Sequence, residues 1–224
     1  MSCKKSIKLS RKQISILSKI MKMIENKEFP DNYPVFITQS SDAHIYSLRR
    51  KVIEHMGFIL ISKEWIKDLS QWIGKRNYLE LMSGLGALSY GLRMQGVNII
   101  ATDNYSWKET TNGDDSLLRN DNKTLTHVEN LGALEAVEKY GRNVDIIIMS
   151  WPPYDGEIAV KVLKKMRDIN PSCIMIYIGE GKGGCTANDE FFTVYQIVED
   201  ESFNEANVKF QSWPLIKDRP FLIK

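Results

Sequence analysis

From Asn77 onward the chain alternates short apolar runs with longer amphipathic stretches, and this rhythm constrains the fold more than any other feature. Tyr78–Met82, Val97–Thr102, Val144–Met149 and Cys173–Ile178 read as strands, with a further short run near Leu125–Val128. Ala87–Gln95, Gly132–Tyr140 and Glu157–Ile169 read as helices between them. Parallel strands require crossover connections, and these helices supply them. The order therefore predicts an α/β fold built on a mostly parallel, doubly wound sheet. The end of the chain differs. Val208–Trp213 and Pro220–Ile223, separated by turn material, predict an antiparallel C-terminal edge hairpin.

Before Asn77 the pattern is helical. Ile14, Leu17, Ile20, Met21 and Ile24 fall at helical spacing behind Ser10, a cap residue. Two prolines interrupt Phe29–Pro34, and Tyr33–Thr38 is expected to be extended. Asp42 caps a helix running to about Met56 and stopped by Gly57; Ser62 opens another, with Trp65, Ile66, Leu69, Trp72 and Ile73 on one stripe. A boundary near residue 75 separates an N-terminal helical extension or lid (residues 1–75) from the sheet-bearing domain (residues 76–224). The charge divides with it. Residues 1–76 hold 15 Lys/Arg against 7 Asp/Glu, and the remainder 15 against 21. A basic arm beside an acidic body suits a polyanion, and a nucleic acid is the partner it points to; a solvated helical face accounts for the same charges equally well.

Other classes are disfavoured. The longest apolar runs are strand-sized, far short of the roughly 20 residues that cross a bilayer, so no membrane association is expected. The basic N-terminus lacks the apolar stretch of a secretory signal. Cys3, Cys173 and Cys185 are odd in number and widely spaced, which points to a reducing, cytoplasmic setting. His44, His55 and His127 have no partners at ligand spacing, and the Gly113-Asp-Asp turn reads as solvated, so no metal site is expected. The oligomeric state is not readable.

The run from Tyr78 to Leu92 reads strand, glycine turn, helix, with Gly84 and Gly86 allowing backbone to approach a ligand. Asp103 closes the second strand, where a carboxylate is placed to accept hydrogen bonds from both hydroxyls of a ribose. A dinucleotide fingerprint would place its third glycine at Ser89. The run instead resembles the first motif of class I, Rossmann-like methyltransferases that use S-adenosyl-L-methionine, with Glu80 as its acidic position. Met82 stands where that family has its first glycine. The resemblance implies a cofactor site of Glu80, Met82, Gly84, Gly86 and Asp103, with adenine near Glu129 or Asn130 at the end of the third strand.

After the fourth strand comes Ser150-Trp-Pro-Pro-Tyr-Asp155. Two prolines stiffen the turn and leave carbonyls free at the carboxyl ends of the strands. This resembles the Asp/Asn/Ser-Pro-Pro-Tyr motif of methyltransferases acting on amino or amide nitrogens, and implies a planar acceptor such as a nucleobase or a protein amide. By that resemblance Pro152 accepts a hydrogen bond from the target nitrogen and Tyr154 stacks on it. Trp151 occupies the polar position, on the acceptor side, and Ser150 before it is a candidate for the cofactor side. Asp155 is a candidate base, although a helix N-cap explains it equally well. Pro153 and Glu180 are further candidates for the acceptor side. The glycine-rich Gly179–Gly184 segment reads as a lid or wall, with Asp189 a further candidate contact. Two other readings stay open: an NAD-dependent oxidoreductase on the same strand-turn-helix, and a non-catalytic methyltransferase-like binding module.

Overall fold

The computed structural model describes residues 8–109, 117 and 123–224. Helix α1 (Arg11–Glu25) starts at a reciprocal cap: the Gln13 amide donates to Ser10 Oγ at 3.3 Å and the Ser10 amide to Gln13 Oε1 at 2.8 Å. Both amides would otherwise lack an intrahelical partner. Helix α2 (Val35–Gln39) occupies the segment expected to be extended. Pro34 stands at its N-cap position, and burial of Ile37 in the core outweighs the strand-forming composition. Helix α3 (Ala43–Met56) opens on Asp42, which accepts the His44 amide at 2.9 Å, and stops at Gly57, where φ is +103°. Helix α4 (Lys63–Ile73) opens on Ser62, which accepts the Trp65 amide at 3.3 Å.

The sheet follows: β1 (Tyr78–Leu81), β2 (Ile99–Asp103), β3 (Glu129–Asn130), β4 (Ile146–Ser150), β5 (Ile174–Gly179) and β6 (Arg219–Ile223). Their spatial order is β3-β2-β1-β4-β5-β6, parallel except that β6 runs antiparallel to β5, with Ile176 opposite Leu222. The expected antiparallel edge is present, but β6 pairs with β5. Residues 208–213 form no strand; Gln211 makes a single bridge to Leu60. Helices α5 (Ala87–Met94), α6 (Ala133–Tyr140) and α7 (Ile158–Ile169) supply crossovers, and the short α8 (Phe191–Val194) and α9 (Glu201–Ala206) lie on the path to β6.

Both faces of the sheet are covered, as period-two side-chain alternation requires. Ile146 and Ile148 of β4 point into one core with α1, α3, α4 and α5; Ile147 and Met149 point into a second with α6 and α7. The first core joins Leu17, Ile24, Leu48, Val52 and Trp65 to Tyr78, Leu88 and Ile176, so the helices of residues 11–73 share one hydrophobic interior with the sheet. A polar clasp reinforces the junction. Gln211 accepts from the Tyr33 amide at 2.9 Å and donates to its carbonyl at 2.7 Å. Three indoles complete it: Trp65 donates to Asn207 at 2.9 Å, Trp72 to Ser202 at 3.2 Å, and Trp213 to the Phe58 carbonyl at 2.9 Å. No helix among the described residues is long and apolar enough to cross a membrane.

Candidate functional site

The strand order reverses between β1 and β4. In an open α/β sheet the crevice beyond such a reversal is where ligands bind. A cavity of about 430 Å³ lies there, lined by residues that follow β1 (Met82–Leu85), β2 (Asn104, Ser106, Trp107) and β4 (Trp151, Pro153). Of the residues expected at the site, Glu80, Met82, Gly84, Asp103, Ser150, Trp151 and Pro153 line it together.

Asp103 is the organising group. Its Oδ2 accepts the Gly84 amide at 2.7 Å; its Oδ1 accepts the Tyr105 amide at 2.6 Å and the Trp107 indole N–H at 3.1 Å. Burial raises its pKa, against the pull of these three donors. A carboxylate offers about four lone-pair positions, so one remains for a ligand. Glu80 is held differently. Its Oε2 accepts both the amide and the hydroxyl of Ser89, capping the first turn of α5 from below, and burial pushes its pKa up to about 7. Ser89, where a dinucleotide fold would have glycine, is thus the partner that retains Glu80.

The backbone at the strand ends is unusual. Met82 has φ +52° and Trp151 φ +49°, both in the left-handed region that side chains with a Cβ disfavour. They follow adjacent strands, in which Leu81 pairs with Met149. The glycine habit of the Met82 position thus has a backbone cause. Gly84, at φ +56°, has open space where a Cβ would stand. Gly86 lies away from the lining: a Cβ there would meet Val128 at 2.7 Å, so its bareness serves the approach of residues 126–128.

Several expected residues stand outside the cavity lining. Glu129 is bound to Lys139 at 2.6 Å and Tyr140 at 2.5 Å, and Asn130 is exposed. The Pro152 carbonyl accepts the Ala187 amide at 3.0 Å. Tyr154 is 46% exposed, and Asp155 is exposed as well. Glu180 accepts the amides of Cys185 and Lys217, each at 2.9 Å, and so braces the glycine-rich segment. The Gly113-Asp-Asp turn lies outside the described residues.

Residues with no sequence signal complete the cavity. Met56, Gly57, Phe58, Ile59 and Ile61, between α3 and α4, form one wall. Phe58 stacks on Trp151, with ring centroids 5.3 Å apart and planes inclined by 12°. Ser83 lines the cavity with its buried Oγ lacking any hydrogen-bond partner. Among the described residues the only ionisable side chains of the lining are Glu80 and Asp103; no Lys, Arg or His lines it.

No protein-family model and no curated protein matches the chain by sequence. Similar solved structures include TehB from Haemophilus influenzae, with 13% identity over 79% of this chain and 66% of that one, at a TM-score of 0.42. A putative O-methyltransferase from Nostoc punctiforme is similar at 10% identity over 94% of this chain and 68% of that one, with a TM-score of 0.46. A tRNA (uracil-54, C5)-methyltransferase from Pyrococcus abyssi is similar at 15% identity, 70% of this chain, 36% of that chain and a TM-score of 0.41. The chain thus spans less than two thirds of the length of TehB and about a third of the Pyrococcus abyssi enzyme. At such values the chemistry has to be read from this chain's own residues.

Proposed function

We propose that the chain is an S-adenosyl-L-methionine-dependent methyltransferase acting on a nitrogen of a planar acceptor. The observation that carries this reading is the charge of the cavity: two buried carboxylates and no cation among the described lining residues. A cationic sulfonium is suited to a wall that carries Asp103 and a partly protonated Glu80, whereas a pyrophosphate would meet acidic side chains and no described cation there. The residues present fit the cofactor. Ser83 Oγ is a buried hydroxyl awaiting a partner, Gly84 leaves the wall open, and Asp103 keeps one lone-pair position for a ribose hydroxyl.

When bound, the cofactor supplies an electrophilic methyl group. The chain's own part is alignment and the exclusion of water. Asp103 and Ser83 would fix the nucleoside end, while Met82, Phe58 and Trp151 would form the apolar wall near the methyl. Tyr154 and Asp155, outside that wall on the Pro-Pro turn, would meet the acceptor as it enters, Tyr154 by stacking and Asp155 by taking the proton the nitrogen loses. The basic excess of residues 1–76, 15 Lys/Arg against 7 Asp/Glu, favours a nucleic acid as the carrier of that nitrogen, and the three widely spaced cysteines favour a reducing cytoplasm as its setting.

Calorimetry with S-adenosyl-L-methionine, S-adenosylhomocysteine and NAD tests the cofactor. Micromolar binding of the sulfur compounds is expected; binding of NAD alone would overturn the reading. Transfer of labelled methyl into nucleic acid rather than protein fractions then tests the acceptor.

A further inference from the structure

Asp218 is a buried carboxylate with an unusual set of partners. It is 3% exposed; its Oδ2 accepts the Trp151 indole N–H at 2.9 Å, and its Oδ1 is buried with no hydrogen bond among the described residues. Ser212 donates to its backbone carbonyl at 2.7 Å, which fixes the turn before β6. A buried carboxylate whose near partners are neutral donors, the Trp151 indole foremost and the Ser212 hydroxyl beside it, is a poor stability device, because desolvation exceeds what they return. Burial accordingly raises its pKa.

The carboxylate does act on one ring. Trp151 has three constraints: its amide donates to the Ile178 carbonyl at 2.8 Å, its φ is held at +49°, and its indole N–H ends on Asp218. With those fixed, the ring has one plane, and that plane lies against Phe58. Phe58 is fixed in turn from behind, since its carbonyl accepts the Trp213 indole N–H. Both rings line the cavity, whereas Asp218 lies behind Trp151, outside the lining.

We infer that Asp218 is a positioning residue that locks Trp151 against Phe58, so that the paired rings present one fixed face to an uncharged, flat heterocycle as methyl acceptor. The inference rests on the methyltransferase reading and narrows its acceptor. A phosphate or carboxylate borne next to the reacting ring would meet no cation among the described lining residues. A neutral ring loses nothing by that absence and gains from stacking.

The test uses the full chain saturated with S-adenosylhomocysteine, which blocks the cofactor end, and 9-methyladenine as the probe, followed by calorimetry and by the indole N–H resonances in NMR spectra. Saturable binding that shifts the Trp151 resonance is expected in the wild type. Asp218→Ala should weaken the probe about tenfold and broaden that resonance, while S-adenosylhomocysteine affinity changes less than twofold. Asp218→Asn, which keeps an oxygen for the indole N–H, should restore both. Trp151→Phe, which keeps a ring without the N–H, should lose the probe as Asp218→Ala does, and it serves if the alanine variant does not fold. Unchanged probe affinity in Asp218→Ala or Trp151→Phe would overturn the positioning role. Absence of probe binding to a wild type that does bind S-adenosylhomocysteine would overturn the acceptor class. Failure of S-adenosylhomocysteine itself would instead overturn the cofactor reading.

Discussion

The Asp103 carboxylate, at the end of β2, accepts a 2.7 Å hydrogen bond from the Gly84 amide in the turn after β1. One group therefore shapes the turn and faces the cavity. Asp103→Ala should lower S-adenosylhomocysteine affinity at least tenfold, about 1–2 kcal/mol, and also lower the melting temperature by orphaning three donors. Asp103→Asn keeps one oxygen, enough for the Gly84 amide or for the Tyr105 amide and the Trp107 indole but not for both sets, so it should lose less stability than the alanine variant yet still lose affinity. Normal affinity in the asparagine variant would remove the ribose role.

Ser83 separates binding from folding more cleanly. Its Oγ has no partner among the described residues, so Ser83→Ala removes no hydrogen bond among them. The melting temperature should stay within about a degree or rise slightly, while cofactor affinity falls by about 0.5–1.5 kcal/mol. Equal affinities by calorimetry would mean the hydroxyl touches no ligand.

Met82 carries a local strain that two substitutions resolve. Met82→Ala and Met82→Gly both remove the thioether, and only the glycine relieves the φ of +52°. Chemical denaturation should find the glycine variant more stable than the alanine variant by about 1 kcal/mol. Equal stabilities would mean the turn relaxes at no cost.

Glu80 gives a pH signature. Its pKa rises on folding from 4.5 to about 7, so the folded state holds the proton more tightly than the unfolded state. The contribution is fully present below the unfolded value and is lost as pH rises through about 7. Glu80→Gln, which still offers an oxygen to Ser89, removes this titration. Between pH 5 and pH 8 the wild type should lose stability relative to Glu80→Gln by on the order of 2–4 kcal/mol. Parallel pH profiles would show that Glu80 titrates normally in the fold.

Much of this architecture was legible because its signals are local. Asp42 before α3, Ser62 before α4 and the strand-glycine-helix run from Tyr78 each carry their instruction within a few residues. The edge order was legible too, although not the partner of β6. What escaped was set by distant contacts. Residues 35–39 coil because Ile37 finds a buried place, and residues 208–213 lie across α4 and the Phe58 region instead of forming a strand. The cavity wall from Met56 to Ile61 had no sequence signature, since a hydrophobic connector looks alike whether it faces a ligand or a core. The roles of Trp151 and Asp218 required a contact between residues 67 positions apart.

The clasp between residues 33–72 and 202–213 bears on how the chain is made. Phe58 walls the cavity, yet the indole that donates to its carbonyl belongs to Trp213, 155 positions later. The N-terminal helical segment closes on partners 130 to 178 positions away, a long-range closure of the kind that slows folding. A chain cut before residue 200 would hold every described residue of the lining, but neither Trp213 behind Phe58 nor Asp218 behind Trp151. The residues of the cavity would then be present before its paired rings are held.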